Sequence, residues 1–215
     1  MRRRPSVALL ALASVLVLAL ALVVILRAGG GHGSSTEALS RSSPSSGFDG
    51  AALPAGVSAP GFTLTDQLGR PVSLSDYRGQ VTVIAFLYST CGAGCTVIAQ
   101  QIRGALDELP RPVPVLVVSA DPAADSPARV AGFLAANSLT GRVRYLTGPL
   151  TRLRSLWRAY RIAPAAAGRA AFERNAAVLL LDGQGRERVV FGLEQLTPES
   201  LAHDIGRLDG EPAHP

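Results

Sequence analysis

Val81-Thr82-Val83-Ile84-Ala85-Phe86-Leu87 is an almost unbroken apolar run, and it leads straight into Tyr88-Ser89-Thr90-Cys91-Gly92-Ala93-Gly94-Cys95. A run of this kind is the pattern of a strand buried on both faces. Beyond it, Val97, Ile98, Ile102, Leu106 and Leu109 recur at helical spacing until Pro110 stops them. The chain therefore reads as a buried strand, a pair of thiols and a helix, which presents sulfur at the exposed end of a sheet. Sulfur placed there suits redox exchange or a soft metal. The cysteines are the only two in 215 residues. Their spacing puts the Cα atoms roughly 6 Å apart on a helix, within the reach of a disulfide.

A structural staple is the competing reading. Closing a loop of about five residues stabilises by only about 2 kcal/mol, against nearly 5 for a hundred-residue loop. A chain in need of a staple gains more from cysteines far apart, so a functional dithiol is the favoured reading.

The N-terminus bears on the compartment. Arg2, Arg3 and Arg4 precede an uncharged apolar stretch of 21 residues, Ser6 to Leu26, long enough for the roughly 20 that a helix needs to cross a bilayer. The run ends in Arg27 and Ala28-Gly29-Gly30-Gly31 without a small-residue cleavage signature. A retained signal anchor over residues 1–27 is expected, with the arginines inside. The rest of the chain would then lie on the extracytoplasmic side of the cell membrane as a single-pass protein, where disulfides persist. Residues 28–56 are rich in Gly, Ser, Ala and Pro and read as a flexible tether without secondary structure. His32 falls within it as a solvated residue.

A sequence pI near 10 raises the question of nucleic acid. Five of the 21 basic residues (Arg2, Arg3, Arg4, Arg27 and Arg41) belong to the anchor and tether, leaving 16 against 14 acidic residues. All 21 are arginine, and no basic stripe is interleaved with aromatics. A nucleic-acid partner is not expected.

Residues 57–210 make one domain of about 155 residues, with 211–215 as a tail. Phe62-Thr63-Leu64 and Val72-Ser73-Leu74 flank Asp66-Gln67-Leu68-Gly69 as a hairpin. Val113 to Ser119 is a second buried strand, and Ser126-Pro127 starts a helix. Val143 to Leu146 is a short strand, and Leu150, Leu153, Leu156, Trp157 and Tyr160 mark another helix, its aromatics core residues like Tyr88. Ala176–Leu181 and Glu187–Phe191 form a hairpin about Asp182-Gly183-Gln184-Gly185, and Thr197 caps a last helix to about Leu208. The order β-β-β-α-β-α-β-α-β-β-α predicts a three-layer α/β sandwich with a mixed central sheet.

Several of these strings together resemble the Sco/SenC family, thioredoxin-like membrane-anchored proteins associated with assembly of the copper sites of respiratory oxidases. They are Phe62-Thr63-Leu64 through Asp76-Tyr77-Arg78-Gly79-Gln80, the C-x-x-x-C pair, and Ser119-Ala120-Asp121-Pro122-Ala123-Ala124-Asp125-Ser126-Pro127. The resemblance covers about residues 58 to 209. It implies a thioredoxin-like fold and copper bound by Cys91, Cys95 and one histidine. The histidine position is Arg174 here, and a guanidinium offers no lone pair to a metal. His203 and His214 read as solvated, and Met1 lies beyond the anchor. Two thiolates still suit Cu(I), but no three-ligand site is visible. Arg174 would instead bring positive charge toward the thiols, which favours the reactive thiolate; an arginine pointing to solvent is the equal alternative. Asp121 and Asp125 belong to a string the family links to function, and both also suit a turn and a helix start.

The resulting expectation is a membrane-tethered thiol-disulfide redox protein acting on a cysteine-containing partner such as an oxidase subunit. Cys91 is expected to attack and Cys95 to resolve, an assignment resting on exposure. A Cu(I) chaperone using the same pair and a redox-inert interaction module are the alternatives.

Overall fold

The computed structural model describes residues 46–54 and 56–211. Eight strands form one sheet: β1 (Ala51–Ala52), β2 (Thr63–Asp66), β3 (Pro71–Ser73), β4 (Thr82–Leu87), β5 (Val115–Ser119), β6 (Arg144–Thr147), β7 (Ala177–Leu181) and β8 (Glu187–Gly192). Their order is β1-β8-β7-β4-β5-β6-β2-β3. The helices are α1 (Ala93–Glu108), α2 (Pro127–Ala136), α3 (Leu150–Ala159), α4 (Arg169–Asn175) and α5 (Pro198–Asp209).

The sheet is mixed, as the order of elements predicts. β4 runs parallel to β5 and β5 to β6, while β7 is antiparallel to β4. Parallel neighbours need crossovers, and α1 and α2 supply them. Every residue of β4 and β5 is buried, on both faces. Phe86 meets Tyr160 at the end of α3, ring centroids 5.2 Å apart. α1 lies against α5 at Gly104, where a Cβ would come 2.8 Å from Pro198 Cγ.

The expected helix starts at Ser126 and Thr197 are present. Each side-chain oxygen accepts a backbone N–H from three residues on, and each is followed by a proline. Among these strands and α-helices, two were not expected. One is α4, a seven-residue helix whose single buried side chain is Phe172. The other is β1, which falls inside the stretch 28–56 that was expected to carry no secondary structure. Its Ala51 and Ala52 pair with Val190 and Val189. The fully buried Asp204 of α5 accepts the N–H groups of Asp49 and Gly50, both at 2.9 Å. The Arg188 and Arg207 guanidinium groups lie over the Phe48 ring. These partners lie far along the chain and leave no local pattern. The expected tail also begins with a tied residue, since Arg188 Nη1 bonds Glu211 Oε2 at 2.7 Å. The expected membrane span, Ser6 to Leu26, is outside the described residues. Among those described, no helix is long and apolar enough to cross a membrane.

Both expected hairpins turn on the same five-residue device. Asp66-Gln67-Leu68-Gly69-Arg70 joins β2 to β3, and Asp182-Gly183-Gln184-Gly185-Arg186 joins β7 to β8. In each, one aspartate oxygen accepts N–H groups two and four residues on, and the other accepts the arginine Nε four residues on. Gly69 and Gly185, at φ 78° and 69°, supply the left-handed residue each turn requires. Burial alone would raise both carboxyls. The backbone N–H donors and the arginine outweigh it and hold both below the usual range.

A depressed carboxyl stabilises the fold above its unfolded pKa, about 3.9, and that contribution disappears as pH falls through the folded value. Asp66→Asn and Asp182→Asn are each expected to cost about 1–3 kcal/mol at pH 7. The deficit should shrink below about pH 4, as the wild-type carboxyl also protonates. Urea unfolding midpoints from pH 7 to pH 2 measure it.

Candidate functional site

At the end of β4 the chain passes through Tyr88-Ser89-Thr90 and folds back, the Cys91 N–H bonding Tyr88 O at 3.1 Å. Gly92 then caps α1 at φ 78°, a conformation that glycine adopts without strain. Cys91 and Cys95 form a disulfide with their Cα atoms 5.8 Å apart, the separation expected from their spacing. Cys91 Sγ also accepts the Cys95 N–H at 3.1 Å. Contrary to the expectation of sulfur at an exposed end, the two residues are only 1% and 0% exposed. Exposure therefore does not tell the attacking thiol from the resolving one.

Asp125 fixes this loop. Its buried carboxylate accepts the Ser89 N–H at 2.7 Å on one oxygen; on the other it accepts the Ser119 hydroxyl at 2.5 Å and the Tyr145 hydroxyl at 2.7 Å. The Tyr145 hydroxyl also reaches Leu87 O at 3.2 Å. One side chain thus joins the C-terminal end of β5 and a residue of β6 to the segment leading into the cysteines. Burial and then the Asp125 carboxylate push the Tyr145 hydroxyl well above its ordinary value. Asp121 shapes the turn that delivers Asp125. Its carbonyl accepts the N–H groups of Ala124 and Asp125, and its Oδ1 accepts that of Ala124 at 3.3 Å. The Ser89 hydroxyl is buried with no hydrogen-bond partner among the described residues.

The other wall of the site is α4. Phe172 stacks edge-on with Tyr88, centroids 5.0 Å apart. Arg169 and Glu173, one turn apart, come down on the two glycines between the cysteines. A Cβ at Gly92 would stand 3.2 Å from Arg169 Nη1, and one at Gly94 would stand 2.9 Å from Glu173 Oε1. Burial raises the Tyr88 hydroxyl, Arg169 pulls it back, and Asp121 and Glu173 add to the rise. Arg174 is exposed in the last turn of α4 and lines a cleft with Glu173, Ala176, Gly192, Leu193 and Glu194. Among the described residues it makes no hydrogen bond or ion pair. The cation that reaches the cysteine loop is Arg169, which sequence reasoning missed. The available signal was the pair of glycines at 92 and 94, which leaves room for a neighbour's side chains.

The donor set limits what metal could bind. Among the described residues, no third histidine, cysteine or carboxylate joins the two sulfurs within ligating distance. The one group of three possible ligands among the described residues is Asp49, His203 and Asp204. There both Asp204 oxygens already hold the backbone of the N-terminal segment. His203 Nδ1 lies 2.9 Å from Asp204 Oδ1, so His203, expected as solvated, is half-exposed but engaged. A three-ligand copper centre of the expected kind does not fit these residues.

The family model described as SCO1/SenC matches residues 52–208. The chain belongs to the SCO1/SenC family. Among solved structures it is similar to Bradyrhizobium japonicum ScoI with copper bound, at TM-score 0.52 and 26% identity, over 71% of this chain and 99% of that one. It is also similar in fold to BsSco, described as carrying a disulfide switch and belonging to the Sco family of cytochrome c oxidase assembly proteins. That match has a TM-score of 0.61 at 19% identity, over 74% of this chain and 97% of that one. Among characterised sequences, peroxiredoxin Bcp of Escherichia coli strain K12 is 43% identical over 70 residues, 32% of this chain and 45% of that protein. The chain thus spans less than half the length of that relative. The thioredoxin-like α/β fold of Sco proteins is the fold seen here, with Cys91 and Cys95 joined as a disulfide.

Asp125→Ala leaves the Ser89 N–H and the Ser119 and Tyr145 hydroxyls without their carboxylate acceptor. It is expected to destabilise this Sco domain by about 3 kcal/mol or more, whereas Tyr145→Phe costs about 1 kcal/mol. Chemical denaturation of the two variants, with the disulfide intact, tests the ranking.

Proposed function

We propose that the chain is a thiol-disulfide exchange protein of Sco type, acting on cysteines of a partner protein such as an oxidase subunit during assembly of its copper site. The observation that carries the reading is the Cys91–Cys95 disulfide at the junction of β4 and α1, in a chain of this family. Such a short bridge contributes little as a staple. The apolar stretch Ser6 to Leu26 would tether the domain to the outer face of the cell membrane.

The reduced pair would work by attack of a thiolate on a partner disulfide. A mixed disulfide forms, one partner sulfur leaves with the electron pair, and the second thiolate then displaces the partner and restores Cys91–Cys95. The Cys95 N–H directed at Cys91 Sγ favours Cys91 as the attacking thiolate, because a donor to sulfur stabilises the charged form. Cys95, in the first turn of α1, then resolves. Asp121 and Asp125 act by positioning the loop. Both sulfurs are buried, so exchange requires the loop or α4 to shift.

Delivery of Cu(I) by the same pair is the second reading, supported by a copper-bound structure similar to this chain. Two thiolates suit Cu(I), but with Arg174 at the family's histidine position the affinity is expected to be low. Competition against a Cu(I) chelator should show weak binding that improves in Arg174→His. Tight stoichiometric binding by the unmodified chain would promote the carrier reading.

The decisive experiment is a redox titration of Cys91–Cys95 combined with trapping. A working couple should lie between roughly −270 and −120 mV, whereas structural bridges lie below about −300 mV. Cys95→Ala should accumulate mixed disulfides through Cys91, seen as shifted bands without reductant, and Cys91→Ala should not. A potential well below −300 mV with no trapped species from either variant would leave an inert bridge.

A further inference from the structure

The two residues that descend on the cysteine loop carry opposite charges and stand over different halves of it. Arg169 Nη1 would lie 3.2 Å, and Nη2 3.5 Å, from a Cβ at Gly92, the residue after Cys91. Glu173 Oε1 would lie 2.9 Å from a Cβ at Gly94, the residue before Cys95. The spacing of four along α4 puts both on one helical face, and the Tyr88 hydroxyl beside them feels both charges. Among the described residues neither has a salt-bridge partner that would cancel it. Between the cysteines the loop contributes only the Ala93 side chain, so these charges, with the exposed Thr90 and Thr96 hydroxyls flanking the pair, are the polar side chains an approaching molecule meets there. Because the sulfurs are 1% and 0% exposed, a reacting thiol must encounter this rim before it reaches the bond.

We infer that Arg169 and Glu173 are a specificity-determining pair: they orient the incoming partner so that a thiol flanked by negative charge reacts at Cys91 and a positively charged thiol is disfavoured. The inference rests on the exchange reading above and adds the partner's charge and the sulfur it attacks. In the reducing direction, an incoming thiolate bonds to Cys91 Sγ under the Arg169 guanidinium. The Cys91–Cys95 bond breaks, and Cys95 leaves as a thiolate with the electron pair. A second thiolate then attacks the first, releasing an external disulfide and the Cys91 thiolate, so two electrons pass from two thiols to the protein. The reductant class is a thiol, and the favoured member carries a carboxylate near its sulfur. The cognate protein partner accordingly carries an acidic side chain beside its reactive cysteine, on the flank that meets Arg169. Asp121 also adds negative charge at Tyr88, and Arg174 lines a cleft that Glu173 shares.

The test reduces the full chain with three small thiols: anionic 3-mercaptopropionate, neutral 2-mercaptoethanol and cationic cysteamine. Rates are followed by mass shift after maleimide labelling and normalised to thiolate concentration. The readout is the ratio of anionic to cationic rate, which a general loss of stability does not move in a charge-dependent way. Arg169→Gln should lower that ratio by about three- to tenfold, the size a single charge at contact range produces near a solvated surface. Glu173→Gln should raise it, and Arg169→Lys should keep most of the wild-type value. Molar salt should draw all the ratios together. Acid-quenched mapping should place the mixed disulfide on Cys91. Ratios unmoved by either substitution, moved in the same direction by both, or an adduct on Cys95 would overturn the inference while leaving exchange intact. Failure of 2-mercaptoethanol to reduce the unmodified chain would instead remove the exchange reading, and the inference with it.

Discussion

The carboxylate of Asp125 is the point on which the site depends. Three segments meet there: the exit of β4, the end of β5 and the β6 strand that contributes Tyr145. At the C-terminal ends of parallel strands the backbone has left its ladder, so its N–H groups need acceptors from elsewhere. One buried carboxylate serves the Ser89 N–H and two hydroxyls at 2.5 to 2.7 Å. The energetic asymmetry of buried polar groups makes this arrangement stiff. Each bond contributes modestly, but loss of the shared acceptor strands all three donors at once. The cysteine loop begins two residues after Ser89 and inherits that stiffness. The Asp121 turn acts through the same point, because its role is to bring Asp125 under the loop.

The sheet is held to that centre by a repeated solution at its two hairpins. D-x-x-G-R appears at residues 66–70 and again at 182–186, with matching bonds to backbone and guanidinium. Each aspartate completes its turn within five residues and also pairs with an arginine outside it, Arg144 or Arg188. In an arginine-rich chain these buried carboxylates place cations around the sheet. This is a local use for four of the arginines.

Much of this was legible because it is local. β4 was written in its continuous apolar run, the hairpins in their turn residues, and the starts of α2 and α5 in Ser126-Pro127 and Thr197-Pro198. What escaped depends on distant partners. β1 is two alanines in a small-residue stretch, ordered because Asp204, some 155 positions on, accepts the Asp49 N–H. α4 is a seven-residue helix with one apolar side chain buried, too short for a periodicity to show. Its place is fixed by Phe172 against Tyr88, not by its own propensity. The burial of both cysteines escaped for the same reason, since it depends on how that helix lies beside the loop.

The helix also explains why aligning a motif did not locate the charge at the site. Arg174 stands five residues after Arg169, and at about 100° per residue it lies about 140° around α4 from it. Arg169 and Glu173, four apart, differ by only about 40° and share the face over Gly92 and Gly94. A residue read as an extended lead-in to β7 would have had its side chain decided by strand alternation. Wound into the last turn of a helix, the same residue borders a cleft with Glu173, Gly192 and Glu194. The position at which the family resemblance implies a metal ligand thus holds an exposed arginine. Of the two charges that stand over Gly92 and Gly94, Glu173 directly precedes Arg174 and Arg169 lies one turn before Glu173, and no motif draws attention to either.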